Sequence, residues 1–350
     1  MTCREKVLST ITRTNTSGMP CNFRAEEPTL QRLYSHLGYC DYDRLLEELR
    51  VDIRYVDAIA PPEKDMGKYM QNFWGERYIY RQSEWGKYRD NMPGALSSAK
   101  TLEDLKRFTW PTVDMMDYSQ VRQQCEKYDG YAIVYGFGDI FTRPSIVRGF
   151  ETFLSDMYEN PEFVHFLIQK FADFYIEDYT RAYKESGGKI DIFLVMGDLA
   201  TQISPLFSPS MFDEFIARHM KRIADRIHEL GAYFFYHSCG ESYRFMEKFI
   251  ACGVDIIDPM QRTSAYMFPE KLCEEFGGRV CFHGGIDVQK TLPYGTPEDV
   301  RKEVQRYARA FHDTSGYICS SAHYMQHDTP PENILALYDE IQNWNRNNGG

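Results

Sequence analysis

The run GAYFFYHSCG (231–240) sets an imidazole and a thiol two positions apart, at His237 and Cys239, directly after a stretch of bulky apolar residues. In extended backbone, residues i and i+2 point to the same side. The two groups would therefore face one spot at the end of a buried strand. His-x-Cys is no complete zinc motif: as a metal site it would supply two ligands and leave one or two to come from elsewhere, as catalytic sites do while keeping a position open. A satisfied core histidine beside an inert buried cysteine is the other reading. The run GYICSSAH (316–323) ends in a second pair, Cys319 and His323, able to supply the missing donor. Asp198, after Gly197, is either the cap of a turn or a carboxylate that contacts substrate or orients a ligand. His283 precedes two glycines that let backbone approach a ligand closely, or that merely make a turn. The other seven cysteines show no ligand spacing.

Such residues need elements to position them. KIDIFLVMGD (189–198), AYFFYHSC (232–239), VDIIDPM (254–260), RVCFHGGID (279–287) and GYICSSAH are short apolar runs, too continuous for strands exposed on one face. Buried parallel strands read this way. Helices with clear signals separate them. Ser208-Pro209 opens one that Gly231 closes, Asn160-Pro161 opens another, and Thr296-Pro297 with Asp299 resembles a capping box. Repeated strand–helix units imply right-handed crossovers and a parallel sheet. With MPCNFR (19–24), LRVDIRYVD (49–57) and YAIVYGF (131–137), the strands number eight. The expected fold is a single (β/α)8 TIM barrel spanning 1–350, with an aromatic-rich excursion over 61–130, inserted after the second strand near the barrel mouth. A doubly wound sheet is the rival, but no Gly-x-Gly-x-x-Gly turn follows an early strand. In a barrel, function gathers at the C-terminal strand ends. Here those ends read Arg24, Glu26, Asp57, Tyr135, Asp198, His237, Cys239, Asp258, Gln261, His283, Asp287, Cys319 and His323.

Composition narrows the partners. The 350 residues are 43% hydrophobic, enough for a large core, and carry a formal charge of −11. That charge disfavours nucleic acid and anionic membrane surfaces, which require basic protein surface. No apolar run approaches the ~20 residues of a membrane span. The odd count of nine cysteines suits a reducing compartment. The N-terminal stretch lacks an apolar signal core, and a cytoplasmic location is expected.

The segment 197–240, followed by GVDIIDPMQ (253–261), FHGGIDVQKTLPYGTPEDV (282–300) and GYICSSAHYMQHDTPPENI (316–334), resembles the uroporphyrinogen decarboxylase superfamily. That family has a (β/α)8 barrel. True decarboxylases carry an N-terminal Arg-Gln-Ala-Gly-Arg type of signature. The matching place here reads MPCNFRAEEPTLQRLY (19–34), where Arg24 is followed by two glutamates that would repel a polycarboxylated substrate. His-x-Cys-Gly instead looks like the corrinoid-dependent methyltransferase branch.

That resemblance implies Zn2+ held by His237, Cys239 and a late third ligand, and a corrinoid (cobalamin) carried by a partner protein. The third ligand is expected at His323, where coenzyme M methyltransferases of the branch usually have cysteine, with Cys319 as its possible replacement. It further implies a small-molecule methyl donor or acceptor; from their place at the strand ends, Asp198 is expected as the catalytic carboxylate, and Tyr135, Gln261 and His283 as substrate contacts. Gln261 could also be a weak fourth ligand. Two other functions fit the same residues: a cofactor-free decarboxylase using Asp52 or Asp198, and a ligand-binding barrel without turnover.

Overall fold

A computed structural model describes every residue except 16, 84, 85, 263, 265, 349 and 350. Strand β1 (Ile53–Val56) is followed by four antiparallel strands, β2 (Lys64–Asp65), β3 (Met70–Gln71), β4 (Arg77–Ser83) and β5 (Gly86–Met92). Six more follow: β6 (Ala132–Asp139), β7 (Ile192–Met196), β8 (Tyr233–His237), β9 (Ile256–Asp258), β10 (Cys281–His283) and β11 (Tyr317–Ile318). Together with β1 these six form a parallel sheet in the order β1-β6-β7-β8-β9-β10-β11. The result is an α/β fold with a curled seven-stranded sheet.

The expected first strand, 19–24, is not a strand here but an isolated parallel bridge. Cys21 pairs with Cys319. The segment nevertheless touches both edges: Asn22 N–H donates to the Cys319 carbonyl at 3.0 Å, and Asp52 N–H donates to the Cys21 carbonyl at 3.0 Å.

Both faces of the sheet are buried, which is why its strands read as unbroken apolar runs. Ile53, Val134, Ile192, Leu194, Phe235, Ile256, Cys281 and Ile318 pack together inside the curl. Val7 and Ile11, from the N-terminal helix Cys3–Ile11, join this cluster at its base. Residues of opposite parity, such as Tyr135, Phe193, Phe234 and Tyr236, pack outward against the helices. The helix signals hold where they matter. Ser208 Oγ accepts from Met211 N–H, and Thr296 with Asp299 closes a full capping box.

The chain between Ile59 and Asp117 leaves and returns at one point, where these two residues exchange both backbone hydrogen bonds at 2.9 Å. Its anchor is Trp74, 1% exposed, which stacks on Phe171 (4.4 Å between centroids) and meets Phe174 edge-on, both on the helix Pro161–Glu185. Glu76 pairs with Arg143, just beyond the C-terminal end of β6, at 3.0 Å.

Candidate metal centre at the C-terminal strand ends

Strand parity builds the site. Two residues beyond the inward-facing apolar layer, the chain again points inward. Those positions are Tyr55, Met196, His237, Asp258 and His283. An apolar floor is thus topped by a layer of chemistry-bearing side chains.

Strand β8 stops at His237, so the alignment of His237 with Cys239 is not that of a continuing strand. A loop makes it. Ser238 N–H donates to the Asp258 carbonyl at 2.8 Å, Cys239 N–H to Asp198 Oδ1 at 2.9 Å, and Gly240 N–H to Gln261 Oε1 at 2.6 Å. Gly240 has φ +90, and a Cβ there would lie 2.5 Å from the Thr201 carbonyl oxygen. Only glycine fits this turn. It leaves Cys239 Sγ 3.4 Å from His237 Nε2.

His323, after β11, completes the cluster. Its ring centroid lies 5.9 Å from that of His237. One donor atom from each of His237, Cys239 and His323 lies within 4.8 Å of the others, the one such trio among the described residues. Cys319 stays outside it. Its thiol is fully buried, and burial pushes its pKa up to about 12.

Beneath the trio lies Asp258, fully buried. Its carboxylate takes both terminal nitrogens of Arg24 at 2.9 Å, His283 Nδ1 at 2.7 Å and His237 Nδ1. Burial alone would raise this carboxyl's pKa. Arg24, then His283 and His237, outweigh it and hold the group well below the usual carboxylate range. For His237 burial acts downward, yet Asp258 and Cys239 outweigh it and push the imidazole, with no metal bound, up to about 10. His283 goes the other way, lowered by burial. Asp258 was legible only as a polar strand end. A metal-binding histidine needs its second nitrogen held, and the acid ending the neighbouring strand was the available signal.

The remaining candidates divide. Asp198 is at the cluster, with Oδ1 3.9 Å from His237 Nε2 and its side chain 47% exposed. Gln261 fixes the Cys239 loop through Gly240. His283 is fully buried and faces Asp258 instead of open space. Tyr135 is not brought to the cluster: its parity turns it outward, where its hydroxyl donates to Asp178 at 3.0 Å. Asp52 sits at the opposite end of β1, paired with Lys6 at 2.6 Å.

The carboxylate that β1 delivers to the mouth is Asp57. Its Oδ1 accepts from Gly136 N–H at 3.3 Å, close to the stacked rings of Tyr55 and Phe137 (5.9 Å). The side chain remains open to solvent but is walled in by protein, and this desolvation pushes its pKa up to about 7. A raised carboxyl pKa means the folded state resists ionisation. The penalty is absent below the unfolded value of about 3.9, grows through the acid range and is complete above pH 7. Asp57→Asn is therefore expected to stabilise the protein at pH 8, on the order of 1 kcal/mol after solvent screening. The gain should shrink towards zero at pH 4 in urea unfolding. A gain that does not change with pH would contradict this assignment.

Comparison with known proteins agrees with a curled α/β fold. The family model for uroporphyrinogen decarboxylase (URO-D) matches residues 101–344. The chain belongs to the uroporphyrinogen decarboxylase family. The uroporphyrinogen decarboxylases of Photobacterium profundum and Aliivibrio salmonicida are 25% and 26% identical to it over 192 residues, covering 53% of this chain and 50% of each relative. The chain thus spans about half the length of these curated relatives. A methyltransferase from Methanosarcina mazei, at 15% identity, superposes with a TM-score of 0.71 over 98% of this chain and 99% of that one. At that identity the likeness is one of fold. No helix among the described residues is long and apolar enough to cross a membrane.

Proposed function

We propose that the protein is a zinc-dependent methyltransferase that moves a methyl group between a corrinoid protein and a small molecule: a thiol, a folate or a methylated substrate. The observation that carries this reading is the trio His237, Cys239 and His323 with Asp258 behind it. In a tetrahedral zinc site, bonds of 2.0–2.1 Å to nitrogen and 2.3 Å to sulfur separate the two donors by about 3.5 Å. The 3.4 Å between His237 Nε2 and Cys239 Sγ matches that edge. Three protein donors leave a fourth position for substrate, as catalytic zinc sites do.

Zinc held there would act as a Lewis acid, activating a bound thiol or polarising the heteroatom of a methyl donor. The chain's own residues supply the rest. Asp258 holds His237 Nδ1, so Nε2 presents its lone pair to the site. Asp198 holds the Cys239 backbone and leaves its other oxygen free to contact substrate. Phe137 and Met196, partly buried against the inner apolar cluster, would shield the reacting groups from water. The corrinoid of the partner protein must enter over this mouth. In this reading the Cys21 segment closes an eight-membered barrel, residues 1–350 act as one cytoplasmic domain, and the excursion frames the entrance.

Decarboxylation is the second reading, favoured by the names of the relatives. Against it, Arg24 is committed to Asp258 and is not free to hold a substrate carboxylate, and Asp57 and Asp198 at the mouth would repel one. Zinc analysis, combined with loss of methylcobalamin absorbance in the presence of thiols and tetrahydrofolate, separates the readings. Methyl transfer predicts about one zinc per chain and turnover that chelation stops. Metal-free protein that releases carbon dioxide from a carboxylated substrate would establish the other.

A further inference from the structure

Asn22 stands three hydrogen bonds from the metal centre, and all its polar atoms are committed. Its Oδ1 accepts from Phe23 N–H at 2.8 Å. That contact fixes which end of the amide is nitrogen, since the reverse orientation would set two donors face to face. Its Nδ2 then donates one hydrogen to Tyr55 Oη at 2.7 Å and directs the other at His283 Nε2, 3.0 Å away. A ring nitrogen facing a donor must be the unprotonated one. The proton of His283 is therefore on Nδ1, directed at Asp258 Oδ1 at 2.7 Å. Asp258 Oδ2 is shared between Arg24 and His237 Nδ1.

We propose that Asn22 is a positioning residue for the metal centre. By holding His283 from the Nε2 side in the Nδ1–H tautomer that Asp258 also favours, it keeps one oxygen of Asp258 on His283 and the other turned to His237, so that His237 Nε2 faces Cys239 and His323. The proposal rests on the zinc reading for its consequence, but the tautomer itself does not depend on a metal. Without Asn22, Asp258 alone favours Nδ1–H, and the buried Nε2 has lost the donor that excludes a proton there. The other tautomer would turn a lone pair on Asp258, opposing two acceptors and tilting the carboxylate that orients His237. Asn22 is fully buried, as is His283, so bulk water does not replace the lost donor. Tyr55 is the open end of the same line, with its hydroxyl hydrogen not used by Asn22.

The test uses Asn22→Ser, which removes the amide donors, and Asn22→Asp, which keeps the shape while presenting acceptors on both sides. Long-range 1H–15N spectra of histidine-labelled protein read the tautomer without metal. The wild type should show His283 protonated at Nδ1 alone, and both variants should show signal from Nε2–H. Zinc affinity, measured by competition with a chelator, should fall about tenfold, the lower end of the range for residues supporting a metal ligand. The visible bands of the cobalt(II)-substituted protein should shift with it. Tyr55→Phe leaves the Asn22–His283 bond in place and should stay within about twofold of wild type. Folded variants that keep the wild-type tautomer, or that keep zinc affinity and cobalt bands, overturn the proposal. So does a Tyr55→Phe effect as large as that of Asn22→Ser. A wild type with the stated tautomer but no zinc would defeat the functional reading while leaving the tautomer assignment standing.

Discussion

Replacing Cys239 with alanine is expected to take the purified protein from about one zinc per chain to less than about a tenth, and to abolish methylcobalamin consumption, while the fold survives. Cys239 is the sole sulfur donor of the trio. Its thiol is partly exposed, so its loss leaves no sealed cavity. The bond that shapes its loop comes from the backbone, Cys239 N–H to Asp198, and alanine keeps it. Cys319→Ala provides the contrast. That thiol is buried in the outer hydrophobic core, outside the trio, so its removal should cost stability and leave zinc in place. Elemental analysis of the two variants side by side decides the ligand set. Zinc retained by Cys239→Ala, or lost from a folded Cys319→Ala, would falsify it.

Asp258→Ala is expected to destabilise the protein by about 3–5 kcal/mol at pH 7, because it strands the buried guanidinium of Arg24 without its counter-charge. Zinc affinity should fall about 10- to 100-fold as well, since His237 loses the group that orients it. The sign with pH follows from the depressed pKa. A carboxyl held below its unfolded value contributes fully above about pH 4 and loses that contribution as pH falls towards its folded pKa. The gap between wild type and Asp258→Ala in urea unfolding should therefore be widest near neutrality and narrow below pH 4. Removing both partners, Arg24→Met with Asp258→Ala, should cost less than removing Asp258 alone, because no charge is then left unpaired. A double variant as unstable as the sum of the two single ones would show that the pair does not act as a unit.

The two results lie on different links of the same chain. Cys239 tests which atoms could hold the ion, whereas Asp258 tests what aims them. Loss of zinc in both, with a large stability loss only in Asp258→Ala, is the pattern that a supported metal centre predicts and a merely buried polar cluster does not.

Much of this was legible from residue order alone. Strand period and burial on both faces marked seven of the eight expected runs as parallel strands, because a strand covered on both sides cannot alternate with polar residues. Reading where those runs stop singled out His237, Cys239, Asp198 and His323, which the fold brings to one place, since a polar group ending a buried strand must be satisfied by something. Helix caps such as Thr296 with Asp299 were also local matters, settled within four residues.

Convergence was decided elsewhere. Cys319 is kept from His237 by parity, since Ile318 packs inside the curl and Cys319 faces the outer core, whereas the turn after β11 brings His323 back to the mouth. Tyr135 is misplaced by a single residue of register, enough to turn a side chain to the far face of the sheet. Cys239 reaches His237 through a loop held by Asp198, Gln261 and a left-handed Gly240, not by continued strand. Above all, Asp258 and Asn22 matter through partners hundreds of residues away in the chain: Arg24 is 234 residues from Asp258, and Asn22 is 261 from His283. Residue order determined what each strand end could offer. Only the curling of the sheet, which brings ends distant in sequence into one largely buried layer where polar atoms must find partners, decided which of them meet.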